Sequence, residues 1–201
     1  IVVCASGGLP GELHKLWQSG APGGYHSEYG YSCMGYEIAG GLGVKLAKPE
    51  CEIVVMVGDG SYLMMNSEIA TSVMLGLKLI VVVLDNRGYG CIQRLQLDTG
   101  GERHNNLLED CGQDVRIDFA AHAASLGAKA VHVGDVAELK SAMQRARAAT
   151  STHVIVIDTS PWRTTADGGC WWEVAVPEVS ERAEVRTARE QYESARKEQQ
   201  R

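Results

Sequence analysis

The chain lacks the features that would mark several large classes of protein. It has no excess of basic residues: 25 acidic side chains face 19 basic ones, for a net charge of −6. A nucleic-acid binder needs a basic stripe to neutralise phosphates, so that class is excluded. No apolar run approaches the roughly 20 residues of a membrane span; the longest, Leu79 to Leu84, has the length of a strand. The six cysteines show no CxxC pair and no even ladder, which excludes zinc ribbons and a disulfide scaffold. Reduced thiols in or beside apolar runs behave as small hydrophobes, and a cytoplasmic protein is expected. There is no G-x-G-x-x-G after a strand and no P-loop lysine, so nucleotide-binding fingerprints are missing. Internal repeats and low-complexity tracts are absent too. The first residues, Ile1 to Cys4, begin in mid-strand without a methionine, as a piece of a longer chain would.

What is present is an alternation. Apolar runs of strand length stand at Ile1–Cys4, Ile53–Val57, Leu79–Leu84, Ala130–Val133 and Val154–Ile157. Helical periodicity fills 35–47, 65–75, 118–126 and 136–149; in the last, Val136, Leu139, Met143 and Ala146 fall on one face. Fully apolar short strands separated by helices predict an α/β three-layer sandwich, a mainly parallel sheet with helices on both faces. One domain is expected over 1–177, followed by a polar tail at 178–201 that reads as a solvated helix. Residues 87–116, rich in Gly, Asn and charge, read as a long connection, mobile or functional.

In such sheets ligands bind beyond the carboxyl ends of the strands, so the strand-end sequences carry the chemistry. One strand ends in Gly58-Asp59-Gly60-Ser61. Glycines let backbone N–H groups approach an anion at a helix N-terminus. A carboxylate there repels phosphate directly but suits a divalent cation bridging to it. Alone, the tripeptide fits a tight turn capped by Asp59 equally well. The next strand runs into Asp85-Asn86-Arg87-Gly88-Tyr89, where Asn86 and backbone carbonyls offer the neutral oxygens that hard cations accept. Asp59 and Asn86 are 27 residues apart, the span of one βαβ unit, which brings both to the same sheet edge.

The stretch GDGSYLMMNSEIATSVMLGLKLIVVVLDN resembles the cofactor motif of thiamine-diphosphate enzymes, which opens with GDG and closes on Asn. That resemblance implies Mg²⁺ held by the side chains of Asp59 and Asn86 and the carbonyl of Gly88, with Gly58, Gly60 and Ser61 at the diphosphate. The segment YGYSCMGYEIAGGLG is similar to the family's GTMGxxxPxAxGA stretch. It implies that Met34 wedges the cofactor into a bent form and that backbone groups of Ser32 and Met34 meet the pyrimidine. The departure is Glu37-Ile38 where proline usually stands. By the same resemblance Tyr89 and Gln93 would reach the cofactor. His14, after the glycines of the first strand-to-helix turn, could contact phosphate or substrate.

In this family a glutamate on a separate pyrimidine-binding domain, reaching in from another subunit, starts the cofactor's deprotonation. No equivalent stands among these residues, since Glu28, Glu37 and Glu68 occupy other positions of the motifs. The resemblance therefore implies a homo-oligomer, a longer chain, and a 201-residue piece that is silent alone. Within the family, three stretches including CWWEVAVPEVSER resemble members that open a cyclic 1,2-dione hydrolytically in inositol catabolism, giving 5-deoxy-glucuronate. Trp162, Trp171 and Trp172 would then cap a small ring substrate or pack against a neighbouring domain. Acetolactate synthases and other carboligases or decarboxylases share the cofactor motifs. A non-catalytic assembly domain with a vestigial motif is the alternative of another class.

Overall fold

The computed structural model describes residues 1–112, 115–165 and 173–199. Six parallel strands form one sheet: β1 (Val2–Cys4), β2 (Tyr25–Ser27), β3 (Val54–Gly58), β4 (Ile80–Asp85), β5 (Lys129–Val133) and β6 (His153–Asp158). Their spatial order is β2-β1-β3-β4-β6-β5, and every pairing is parallel. The helices are α1 (Gly8–Leu16), α2 (Tyr36–Ala47), α3 (Asp59–Met64), α4 (Glu68–Met74), α5 (Gly90–Asp98), α6 (Phe119–Ser125), α7 (Val136–Ala148) and α8 (Ala183–Gln199). The architecture is the α/β sandwich that the alternation predicts.

The central strands are apolar throughout because both faces are covered. Val81 and Val83 of β4 point into one core with Val55, Val57, Ile38, Leu42, Tyr62, Phe119, Val154 and Val156. Ile80 and Ile155, one register step away, point into the other with Val133, Ala142 and Ala146. The period of two in a strand divides these residues between the helical layers. On α7 the buried face is Leu139, Ala142, Met143 and Ala146, while Val136 at the first turn is largely exposed. Asp135 caps that helix by accepting the Glu138 N–H (2.8 Å), and Glu138 reaches back to the Gly134 N–H (2.8 Å).

Three features depart from the sequence expectation. β2 adds an edge strand whose residues, Tyr25, His26 and Ser27, include no apolar run. The helix expected over 65–75 is α4, and a separate short helix, α3, precedes it across Met65-Asn66-Ser67, with Asn66 donating to the Tyr62 carbonyl (3.2 Å). The 87–116 connection carries α5 and a turn of 3₁₀ helix at Leu108–Cys111. The tail forms α8, anchored by Val185 and Tyr192 against Val176, whereas Val179 stays exposed. Arg182 ties its start to the Gly100 carbonyl (3.2 Å). Among the described residues no helix is long and apolar enough to cross a membrane.

The sheet positions the site. The chain moves outward from β1 to β2, then returns to place β3 on the other side of β1. The reversal opens a crevice between the carboxyl ends of β1 and β3, where loops diverge to opposite faces.

Candidate functional site

Four loops meet at or beside this crevice: those after β1, β2, β3 and β4. The loop after β3 has almost no length, since Gly58 ends the strand and Asp59 is already the first residue of α3. Asp59 is only 4% exposed, and its Oδ2 accepts the Gly88 N–H at 2.7 Å. Burial, with Asp85 nearby as a lesser cause, pushes the Asp59 carboxyl up to about 6, against hydrogen bonds from Gly88, Asn86 and Gly60 that hold it down.

The other Asp59 oxygen has a different environment. Asn86 Oδ1 faces Asp59 Oδ1 at 3.3 Å and the Gly88 carbonyl oxygen at 2.7 Å. The two orientations of the Asn86 amide read differently: turned, its NH2 donates to Asp59 Oδ1 and the Gly88 carbonyl; as placed, its oxygen joins them as a donor set that a cation would satisfy. Cis ligands of an octahedral Mg²⁺ lie about 2.9 Å apart, given Mg–O distances of ~2.1 Å, so the observed separations suit such an ion. One carboxylate with two neutral oxygens is a hard donor set that leaves cation charge for an anionic ligand. Among the described residues no group of three His, Cys, Asp or Glu side chains forms an alternative centre.

The turn after β4 is built to present these oxygens. Arg87 adopts a left-handed φ of +62° and donates its N–H to Asp85 Oδ1 (2.8 Å). Gly88 follows at φ +140°, pressed against Asn106 and Leu107 so that a Cβ would stand 2.9 Å from Leu107 Cα and overlap the Asn106 carbonyl oxygen. Backbone bonds from Tyr89 N to Asn106 O (2.7 Å) and from Leu108 N to Arg87 O (2.9 Å) clamp the turn to the returning chain. The Tyr89 ring then lies on Gly60: a Cβ there would meet Tyr89 Cε1 at 2.7 Å. The absence of a side chain at Gly60 allows the two turns to close on each other.

On the other side, Ser32 is also left-handed (φ +57°), and its hydroxyl meets that of Ser6 after β1 at 2.9 Å. Backbone strain of this kind concentrates at binding sites. Glu28 shapes the segment by accepting the Tyr31 N–H (3.1 Å) and the Cys33 N–H (2.6 Å), bonds that hold its carboxyl below the usual range. Met34 is half-buried, and Gly35 beside it sits so close to α3 that a Cβ would be 3.1 Å from Met65 Cβ. Gly35 N–H also donates to Ser61 Oγ (2.9 Å), joining the Met34 segment to the turn after β3.

Ser32 and Met34, on the loop after β2, Asp59, Gly60 and Ser61, in the first turn of α3, and Asn86, Gly88 and Tyr89, on the turn after β4, therefore stand on segments linked through Ser61 and Gly60. His14 is exposed on α1; its Nδ1 meets Tyr25 OH at 3.3 Å and its ring packs edge-on to Tyr29 of the loop after β2. Gln93 is fully buried, with Oε1 accepting from Asn106 (3.2 Å) and Nε2 without a partner among the described residues. Trp162 is partly exposed beneath Arg103, whose guanidinium lies 5.3 Å from the ring centre. Trp171 and Trp172 lie outside the described residues. Glu37, which the motifs do not assign, is buried between the two halves of the site, and no local pattern in the sequence marks it.

The chain is similar to known proteins in sequence and in fold. The family described as "Thiamine pyrophosphate enzyme, C-terminal TPP binding domain" matches residues 5–158. The chain is 43% identical over 193 residues to a 3D-(3,5/4)-trihydroxycyclohexane-1,2-dione hydrolase of Halalkalibacterium halodurans, covering 94% of this chain and 30% of that one. It is 43% identical over 192 residues to the enzyme of the same name from Bacillus subtilis, with the same coverage. The chain thus spans under a third of the length of these curated relatives. Its fold resembles that of a thiamine diphosphate-dependent 4-hydroxybenzoylformate decarboxylase from Rhodococcus jostii, with a TM-score of 0.62 at 20% identity over 69% of this chain and 25% of the other.

Proposed function

The chain belongs to the thiamine pyrophosphate enzymes, as their C-terminal TPP-binding domain, and from that premise we propose that it serves the Mg²⁺-dependent hydrolytic opening of a cyclic 1,2-dione. The observation that carries the cofactor part is the convergence of the Asp59 carboxylate, the Asn86 side-chain amide and the Gly88 carbonyl at the ends of β3 and β4. The substrate part rests on 43% identity to the trihydroxycyclohexane-dione hydrolases, sustained over 94% of the chain. The product in this reading is 5-deoxy-glucuronate, and the pathway is inositol catabolism.

Asp59, Asn86 and Gly88 would hold the cation, whose charge would offset that of a diphosphate at the N-terminal end of α3. Backbone groups of Gly58, Gly60 and Ser61 line that turn, and Tyr89 covers it, limiting water access. Ser32 and Met34 face the pyrimidine side across the crevice. When bound, thiamine diphosphate supplies a nucleophilic carbon and an electron sink for breaking the bond beside a carbonyl. The carboxylate that activates it comes from a pyrimidine-binding domain of another subunit, so the active enzyme is a homo-oligomer and the 201 residues alone give no turnover.

The test is a paired assay of the native protein with thiamine diphosphate and Mg²⁺. Incubation with the trihydroxycyclohexane-dione is expected to yield a ring-opened carboxylic acid, followed by NMR. Carbon dioxide release from pyruvate with the dione left intact would instead assign a decarboxylase or carboligase. Failure to bind thiamine diphosphate by calorimetry would overturn the cofactor reading as well.

A further inference from the structure

Glu37, in the first turn of α2, is 1% exposed and belongs to none of the motifs that bind cation or diphosphate. Its Oε1 accepts the Ser61 hydroxyl proton at 2.8 Å, and its Oε2 accepts the Gly35 N–H at 3.0 Å. The same Gly35 N–H is shared with Ser61 Oγ, so the three groups close a triangle. One buried carboxyl therefore joins the loop that follows β2 to the first turn of α3, which follows β3. Among the described residues no lysine, arginine or histidine pairs with it. Burial raises its affinity for a proton, against those hydrogen bonds.

A glutamate that merely caps a helix reaches back to the backbone N–H before its first turn and remains in water. Glu37 does the first through Gly35, but it is buried and its second oxygen is spent on a side chain 24 residues further along. Leaving a carboxyl unpaired by charge inside a protein is unfavourable. Such an arrangement persists where it fixes a geometry that apolar packing would leave loose.

We propose that Glu37 is a positioning residue that locks the Met34 segment to the Gly60–Ser61 turn, so that pyrimidine and diphosphate halves of the cofactor site are presented in one fixed relation. This rests on the thiamine-diphosphate reading above. Gly35 has little room to drift, since a Cβ built on it would stand 3.1 Å from Met65 Cβ and 3.3 Å from Met64 Cβ, at the end of the helix whose first turn holds Ser61. With the carboxyl present, the half-sites move as one body. Without it, each can still bind its own part of the ligand.

Two probes separate this role from a general structural one: inorganic pyrophosphate with Mg²⁺ engages only the turn, whereas thiamine diphosphate with Mg²⁺ needs both halves. Calorimetry on the native protein is expected to show Glu37→Ala losing roughly tenfold more affinity for thiamine diphosphate than for pyrophosphate. Glu37→Gln, which can accept from Gly35 and donate to Ser61, should return the ratio to within about threefold of the original. Ser61→Ala cuts the same link from the other side and carries the test if Glu37→Ala does not fold. It should show the same split, and combining it with Glu37→Gln should add little. Equal losses for both probes, or none, overturn the proposal and leave the cofactor reading standing. A wild-type protein that binds pyrophosphate but not thiamine diphosphate overturns both.

Discussion

Replacing Asp59 by Asn is expected to weaken Mg²⁺-dependent binding of thiamine diphosphate roughly a hundredfold or more while making the cation-free protein harder to unfold at pH 8. The two effects share one cause. Asp59 is the one carboxylate of the three-oxygen cluster, so its loss leaves only neutral oxygens to hold a doubly charged ion. Its burial, 4% exposed, raises its carboxyl to about 6 from an ordinary 3.8. A folded-state value above the unfolded one means the native state holds the proton more tightly between those limits. The stability this confers is fully present below pH 3.8, declines as pH rises and is gone above about 6. The difference amounts to about 3 kcal/mol at most, at ~1.4 kcal/mol per pKa unit. Asn accepts the Gly88 N–H equally well and has no charge to desolvate. Urea unfolding without divalent ions should therefore show the variant ahead at pH 8 and level with the parent near pH 4. A variant less stable at pH 8 would mean that the carboxylate supports the fold, and that the cluster is no cation site held at the expense of stability.

That balance explains why some of the architecture can be read from residues and some cannot. β4 and β6 declare themselves because they are central: covered on both faces, they can hold only apolar side chains over Ile80–Val83 and Val154–Val156. β2 lies at the sheet edge, paired with β1 alone, so Tyr25, His26 and Ser27 meet no such demand and carry no pattern. α5 is hidden in a stretch of glycine, asparagine and charge because it is held by contacts from distant residues, such as Arg94 to the Pro161 carbonyl (2.5 Å). At the site, Asp59 and Asn86 are legible from spacing, since one βαβ unit must return to the same sheet edge. Glu37 is not, because its partners Gly35 and Ser61 come together only when two loops fold against each other. Local rules reach what one supersecondary unit determines; the link between half-sites is tertiary.

Gly88→Ala is expected to be the most damaging single methyl group in the site. An added Cβ would overlap the Asn106 carbonyl oxygen and stand 2.9 Å from Leu107 Cα, both backbone atoms that cannot rotate away. The φ of +140° is itself outside what an L side chain tolerates, a strain of about 1–3 kcal/mol before the overlap is counted. Relief requires the turn to open. That would break the clamp from Tyr89 N to Asn106 O, swing the Gly88 carbonyl off the oxygen cluster, and release the N–H that Asp59 accepts. Stability should fall by about 2–4 kcal/mol, and Mg²⁺-dependent cofactor affinity by roughly a hundredfold. Gly58→Ala is the control for stability: its φ is −78° and a Cβ there meets nothing within 4 Å, so the unfolding midpoint should barely move. If Gly88→Ala unfolded like Gly58→Ala and still bound cation and cofactor as the parent does, the Gly88 carbonyl would not be a ligand and the turn would not be the device that presents one. The clamp, the positive φ and the oxygen cluster are one construction in this structure, and a single methyl group tests all three together.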